Sequence, residues 1–305
     1  MPMPPKMPSR IVDIHPHAIS ADRARYPREP LGGKASVWSE ERPASAEQLM
    51  QYMDEAGVAR AAIVQASTCY GYDNSYLADV VAQYPQRYTG VFSVDMLAAD
   101  APERIRYWHG RQLSGLRLFT AGSTMVGQAD WLADPRSFPA WDEAAALGLP
   151  VCVQMRAAGM PQLRVLLARY PQVRIVIDHM MNTPMPSGPP YPEADPLFEL
   201  AAHPNVTLKL TPMTVRNSRG GLATPETFFP RVLQAFGARR IAWGSNFPTN
   251  AGTLKALLED SLDALAWAPA DDLEWIFNKT ACALYPALHP ALGPALGPAL
   301  GPALR

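Results

Sequence analysis

Three observations predict an α/β protein built as one closed (β/α)8 TIM barrel. Short β-rich runs alternate with amphipathic stretches from residue 11 to about residue 285, with no break in rhythm. Eight such runs can be counted, the number that closes a barrel. The turn after the first run reads His15-Pro16-His17-Ala18, so the glycine-rich turn of an open dinucleotide-binding sheet is missing. A chain of 305 residues suits one large barrel or two ordinary domains, and the unbroken alternation favours the barrel.

In chain order the candidate strands are 11–17, 60–67, 88–95, 115–120, 150–155, 174–180, 205–211 and 240–246. Amphipathic stretches at 45–55, 75–84, 139–147, 160–170, 225–236 and 252–267 predict the helices between them. In the first of these, Leu49, Met50 and Met53 share a face. Several strands end on or near a polar residue: His17, Ser67, Asp95, Gln154, His179, Lys209 and Asn246. In a barrel these ends form the mouth where chemistry gathers. Two longer insertions, one running to about Pro43 and a proline-rich one at 184–196, belong to that face.

The barrel is expected over 11–285, preceded by a flexible segment 1–10. From Pro286 a Pro-Ala-Leu tetrad repeats, with prolines at 286, 290, 294, 298 and 302. Proline at every fourth position forbids an α-helix, so 286–305 reads as an extended, disordered tail.

Composition narrows the function. Lys and Arg number 27 against 28 Asp and Glu, a formal charge of −1, which leaves no electrostatic grip on nucleic acid or an anionic membrane. A hydrophobic fraction of 48% supports a substantial core. The three cysteines, Cys69, Cys152 and Cys282, make no disulfide framework and predict a reduced, cytoplasmic setting. No apolar run reaches the roughly 20 residues of a membrane helix, and the proline-rich start lacks a signal-peptide core.

His15-Pro16-His17 is the strongest local signal. Alternation along a strand would point Asp13, His15 and His17 into the barrel together, where two imidazoles can grip a divalent metal or hydrogen-bond a substrate. Asp13 is expected to orient the histidines. At the sixth strand, alternation gives His179 the inward parity of Ile175 and Ile177, and turns Asp178 toward the helices. A neutral histidine there can act as ligand, base or donor.

The ordered set of His15-Pro16-His17, Ile177-Asp178-His179-Met180, Lys209-Leu210 and Trp243-Gly244-Ser245-Asn246-Phe247-Pro248 resembles the amidohydrolase superfamily. Within it the likeness is to the amidohydrolase-2 branch, which includes 2-pyrone-4,6-dicarboxylate lactonase, sugar-lactone hydrolases and D-galactarolactone isomerase. The resemblance spans 11–285 and implies a distorted barrel with its site at the strand C-termini. It implies hydrolysis or rearrangement of a lactone or amide, or decarboxylation in the aminocarboxymuconate-semialdehyde branch. The superfamily usually ends strand eight with Asp, whereas this chain has Asn246. A neutral amide is a poor zinc ligand and no general base. The fifth-strand position, often Lys or His in metal-bridged members, is Gln154. A metal-free site is therefore favoured; the alternative is one divalent ion, zinc, on His15, His17 and His179.

The resemblance also implies a substrate set. Arg117 matches a strand-four Gly-x-Arg segment whose guanidinium meets a substrate carboxylate. Arg156 and Arg216 follow strands five and seven and could supply further anion contacts, and Gln154 and Tyr70 could bind polar groups. Lys209 fits the family's strand-seven Lys-Leu segment. The expected catalytic set is His15, His17, His179 and Asn246, acting on a small carboxylated or polyhydroxylated lactone. In it His15 and His17 polarise the carbonyl, His179 handles water, and Asn246 orients that water or donates to the oxyanion. Alternatives are a metal-independent lactone isomerase, a metal-dependent decarboxylase and a non-catalytic barrel that binds a small acid. The exposed flank of a barrel could support a homodimer.

Overall fold

In the computed structural model, which describes residues 7–119 and 131–289, eight strands follow one another around a single parallel sheet in sequence order. They are β1 (Ile11–Asp13), β2 (Val58–Val64), β3 (Tyr88–Phe92), β4 (Leu113–Phe119), β5 (Val151–Gln154), β6 (Ile175–Ile177), β7 (Val206–Leu210) and β8 (Ile241–Trp243). Every expected strand is present, and all but β4, whose expected last residue lies outside the described residues, are shorter at the C-terminal end than the apolar run suggested. The sheet closes because β8 returns to β1. The Ile14 N–H donates to the Trp243 carbonyl at 3.2 Å and the His17 N–H to the Phe247 carbonyl at 2.8 Å.

Alternation along the strands divides the side chains. Val12, Ile14, Ala62, Val64, Val91, Cys152, Val176 and Ala242 form one buried cluster inside the barrel. Ile175, Ile177, Leu208 and Leu210 belong to a larger cluster shared with helix residues such as Leu163, Leu166 and Phe228. The two layers are the wall's inner and outer packing.

Local sequence explains the helix boundaries. Ser45 caps Ala46–Ala56 in a reciprocal box with Gln48, and Gly57 ends it at φ 73°, a conformation glycine adopts freely. Thr253 caps Leu254–Asp263, so that helix is shorter than the amphipathic stretch at 252–267. The helix Ala101–Gly110 was not expected. Its buried residues are Ala101, Ile105 and Trp108 alone, a stripe too sparse to stand out among charged neighbours.

The floor of the barrel comes from the C-terminal end. The helix Thr280–Leu284, Tyr285 and the turn Pro286–Leu288 place Ala281, Leu284, Tyr285 and Leu288 in the interior cluster. Arg60 at the start of β2 donates to the carbonyls of Ala287 and His289, and Arg174 ahead of β6 donates to those of Ala283 and Leu284. The segment therefore sits at the strand N-termini, opposite the mouth. The first tetrad of the repeat is thus part of the barrel, with Leu288 fully buried. The rest of the expected tail, and residues 1–6 of the expected N-terminal segment, lie outside the described residues. Among the described residues no helix is long and apolar enough to cross a membrane.

Candidate active site

β1 ends at Asp13, so strand alternation does not set the direction of either histidine that follows. Asp13 is fully buried, and its Oδ1 accepts the backbone N–H groups of His15 and Ser245, each at 2.9 Å. It steers the histidine segment through the backbone and stitches it to β8, rather than gripping an imidazole. Burial pushes its carboxyl up to about 6 against the pull of those hydrogen bonds.

His17 is held at one edge and on one face. Its Nδ1 lies 2.8 Å from the Val64 carbonyl, an acceptor only, so Nδ1 carries the proton and Nε2 a bare lone pair. Trp38, from the first long insertion, stacks on the ring with centroids 5.2 Å apart and planes 28° apart. His15 stands edge-on to His17 at 5.0 Å and tilted against His179 at 4.8 Å. Both His15 ring nitrogens are buried without a hydrogen-bond partner among the described residues. Burial, helped by the nearby Arg117 and Lys209 charges, lowers all three imidazoles, His17 and His179 to about 3 and His15 well below its usual value. The three rings are neutral near pH 7.

The sixth strand departs from expectation. Val176 is its inward residue, while Ile175 and Ile177 pack outward. Asp178 therefore faces the barrel interior, not the helices. His179 reaches the same interior because the strand stops at Ile177 and the backbone turns left-handed. The φ angles are 53°, 46°, 64° and 49° at His179, Met180, Met181 and Asn182. Such a turn costs about 1–2 kcal/mol per residue, offset by burial of the Met180 and Met181 side chains. His179 Nδ1 lies 3.0 Å from Thr211 Oγ1, and Thr214 Oγ1 donates to the His179 carbonyl at 3.2 Å.

Asp178 is the hub of a buried charge network. Lys209 Nζ lies 2.6 Å from its Oδ1 and Arg117 Nε 2.9 Å from its Oδ2. Arg117 also donates through Nη2 to Gln154 Oε1 at 2.6 Å and lies over the Phe119 ring. Lys209 reaches Cys152 Sγ at 3.5 Å. Burial opposes the Asp178 charge, but the two cations outweigh it and hold its carboxyl well below the usual range. His15 Nδ1 lies 3.8 Å from Asp178 Oδ1, which links this network to the histidines.

The structure thus brings together His15, His17, His179, Arg117, Gln154 and Lys209. Asn246 ends the same rim, buried, at φ 52° on the segment that bonds His17. Two arginines stay exposed outside the core of the site. Arg156 lines an open cavity of about 360 Å³ with Asn182 and Thr183, and Arg216 donates to Asn250 Oδ1 at 3.2 Å. Tyr70 is elsewhere: its hydroxyl accepts the Ser20 N–H at 2.8 Å and its ring packs with Ile19, Tyr26 and Cys69, anchoring the first insertion. Sequence reasoning missed Asp178 and Cys152. Two inward cations, Arg117 and Lys209, in a low-dielectric barrel require a carboxylate, and that requirement was the available signal.

Among the described residues the group whose donor atoms converge is His15, Asp178 and His179, within 4.8 Å of one another. This differs from the expected set of His15, His17 and His179. The group is a candidate site for a divalent ion, on a carboxylate that is already engaged. Asp178 already faces Lys209 and Arg117 through both oxygens, so a metal on it would sit against two buried positive charges. Position 246 offers an amide, a poor zinc ligand, where a carboxylate would add another.

A family model described as Amidohydrolase matches residues 12–287. This chain belongs to the amidohydrolase family. Among its relatives is an L-fucono-1,5-lactonase from Burkholderia ambifaria, 31% identical over 240 residues, covering 75% of this amidohydrolase and 81% of the relative. A Burkholderia multivorans amidohydrolase, solved with HEPES bound, superposes with a TM-score of 0.74 at 21% identity, over 91% of this chain and 99% of that one. The same Burkholderia multivorans protein has also been solved with zinc. A 2,6-dihydroxybenzoate decarboxylase superposes with a TM-score of 0.61 at 15% identity, over 90% of this chain and 98% of that one. These two likenesses establish the barrel fold.

Proposed function

We propose that this amidohydrolase hydrolyses a small carboxylated or polyhydroxylated lactone without a resident metal. The observation that carries the reading is the group of three neutral imidazoles at the strand C-termini, one of them locked with a bare Nε2. The relationship to an L-fucono-1,5-lactonase supports the substrate class.

The chemistry follows from the proton positions. His17 Nε2 accepts a proton from water as the water oxygen bonds to the lactone carbonyl carbon. As a neutral ring protonated on Nδ1, His17 cannot also donate to the carbonyl, so that task passes to an N–H of His15 or His179. The Asn246 amide N–H adds a donor for the developing oxyanion. Collapse of the tetrahedral intermediate breaks the ring C–O bond, and the leaving alkoxide takes the proton back from His17, releasing a hydroxy acid. Lys209 and Arg117 hold Asp178 and stabilise the floor of the site, while Arg156 and Arg216 meet substrate anions or hydroxyls at the rim.

Asn246 favours a second reading, lactone isomerisation. With no carboxylate there to claim a water, a hydroxyl of the substrate can take its place as the nucleophile, converting one ring size into another. Decarboxylation fits less well, since it draws on the missing strand-eight acid.

The test is a panel of sugar-acid and pyrone lactones assayed by proton release, with elemental analysis of the same protein. Turnover without stoichiometric metal, lost in His17→Ala and His179→Ala, is the expected result. Turnover confined to metal-loaded protein would overturn the metal-free mechanism, and ligand binding with no turnover would make the barrel a binder. Ring-size conversion without acid release would select the isomerase.

A further inference from the structure

The barrel axis holds a line of polar side chains from the floor to Asp178, with His15 beyond it. Tyr285 OH lies 3.3 Å from Cys152 Sγ, Lys209 Nζ lies 3.5 Å from the same sulfur, and Lys209 Nζ lies 2.6 Å from Asp178 Oδ1. Asp178 Oδ1 is in turn 3.8 Å from His15 Nδ1. Every one of these side chains is fully buried.

Two features set Tyr285 apart from a packing residue. Its ring enters the barrel only because β4 carries Gly115, where a Cβ would lie 2.8 Å from Tyr285 Cε1. Its hydroxyl is buried beside Ala281, Leu284, Leu288 and the apolar inner wall, where phenylalanine would fill the space at no desolvation cost. The polar atom is explained by what it touches, the Cys152 thiol.

The geometry points to Tyr285 as a positioning residue for the reaction at the opposite end of the barrel. A lysine head has four flexible carbons behind it and three rotatable donors. The ammonium of Lys209 is held between the Asp178 carboxylate, as an ion pair, and the Cys152 sulfur, and the Tyr285 hydroxyl holds that sulfur from below. Held this way, Lys209 fixes the Asp178 carboxylate, and with it the field in which His15 works. The kinetic consequence rests on the lactonase reading above.

The test is Tyr285→Phe in the full chain, which keeps the ring and removes one oxygen. On a turned-over lactone, kcat falls about fivefold to tenfold, the worth of one buried hydrogen bond, while KM stays within about twofold. Cys152→Ala produces a similar loss, the double variant loses no more than either single one, and Cys152→Ser recovers most of the rate. A wild-type kcat in Tyr285→Phe, or a double loss equal to the product of the single losses, overturns the proposal. If the wild-type protein opens no lactone, the lactonase reading fails separately, and the same variants are compared by urea unfolding. Non-additive destabilisation of the Tyr285 and Cys152 pair supports the line of contacts; strict additivity overturns it.

Discussion

Lys209 Nζ sits 2.6 Å from Asp178 Oδ1, with neither side chain exposed to water. Arg117 approaches the other carboxylate oxygen from β4, so one acid from the end of β6 answers two cations from two other strands. The arrangement is electrostatically tight, because each member is costly to bury alone. It also determines how the site tolerates change.

Replacing Asp178 with asparagine removes the one negative charge that those cations touch among the described residues. The expected cost is about 3–5 kcal/mol, the usual penalty for stranding a buried charge. Urea unfolding at constant pH measures it. A loss below about 1 kcal/mol would mean that water or another anion reaches Lys209 and Arg117.

Stability should rise with pH on the acid side of neutrality. The three buried histidines are held far below their unfolded value of 6.5, so the unfolded chain takes up protons that the native chain refuses. Their contribution is complete above 6.5 and is lost as pH falls toward about 3. Asp13 runs the other way: raised from 3.8 to about 6, it stays protonated longer in the native state and costs stability as pH climbs between those values. At pH 5, three histidine protons gained on unfolding stand against one Asp13 proton released, a net uptake of about two, or about 3 kcal/mol per pH unit. Unfolding free energies measured between pH 4.5 and 5.5 check the slope, and a flat or falling profile would refute the neutral histidines. Asp13→Asn should steepen it, since an amide oxygen still accepts both backbone N–H groups.

The His17→Ala variant tests the assigned proton acceptor. Loss of a positioned base lowers kcat about a hundredfold to ten-thousandfold with little change in KM. A variant that keeps its rate would shift the base to His15 or His179.

Asn246→Asp restores the acid that strand eight usually carries in the superfamily this chain resembles. The carboxylate joins the rim beside the histidines, and zinc affinity should rise by at least about tenfold over the wild-type chain. Isothermal titration with zinc, read alongside chelator sensitivity of turnover, checks this. Equal weak binding by both proteins would show that Lys209 and Arg117, rather than residue 246, exclude the metal.

Much of this molecule is legible in its sequence. The apolar runs gave all eight strands because a barrel wall must be hydrophobic on both faces. His15, His17 and His179 were legible because polar residues at strand ends have little other reason to be there. Asp178 was misplaced because the parity of β6 was anchored on His179, which lies past the end of the strand, whereas the inward residue of the strand itself is Val176. The left-handed turn from His179 to Asn182 contains no glycine to announce it, so the reversal of facing has no local signature. Arg117 was read as a free hand for substrate; two of its three nitrogens, Nε and Nη2, bond within the protein, to Asp178 and Gln154. Tyr70 sits in the right loop, but its hydroxyl serves the backbone of Ser20. The fold of the first insertion lays Trp38 on His17, a contact that nothing in the local sequence announces.

The floor of the barrel has a consequence for biosynthesis. A chain emerging from the ribosome completes its wall when β8 pairs, at Trp243, yet Tyr285 and Leu288 are still some forty residues from release. Until they arrive the lower end of the barrel is an open apolar well, with Cys152 and Lys209 at its depth. Among the described residues the C-terminal contacts are therefore made at the core, and a ribosome that stalls between the two points holds a barrel with its inner lining exposed.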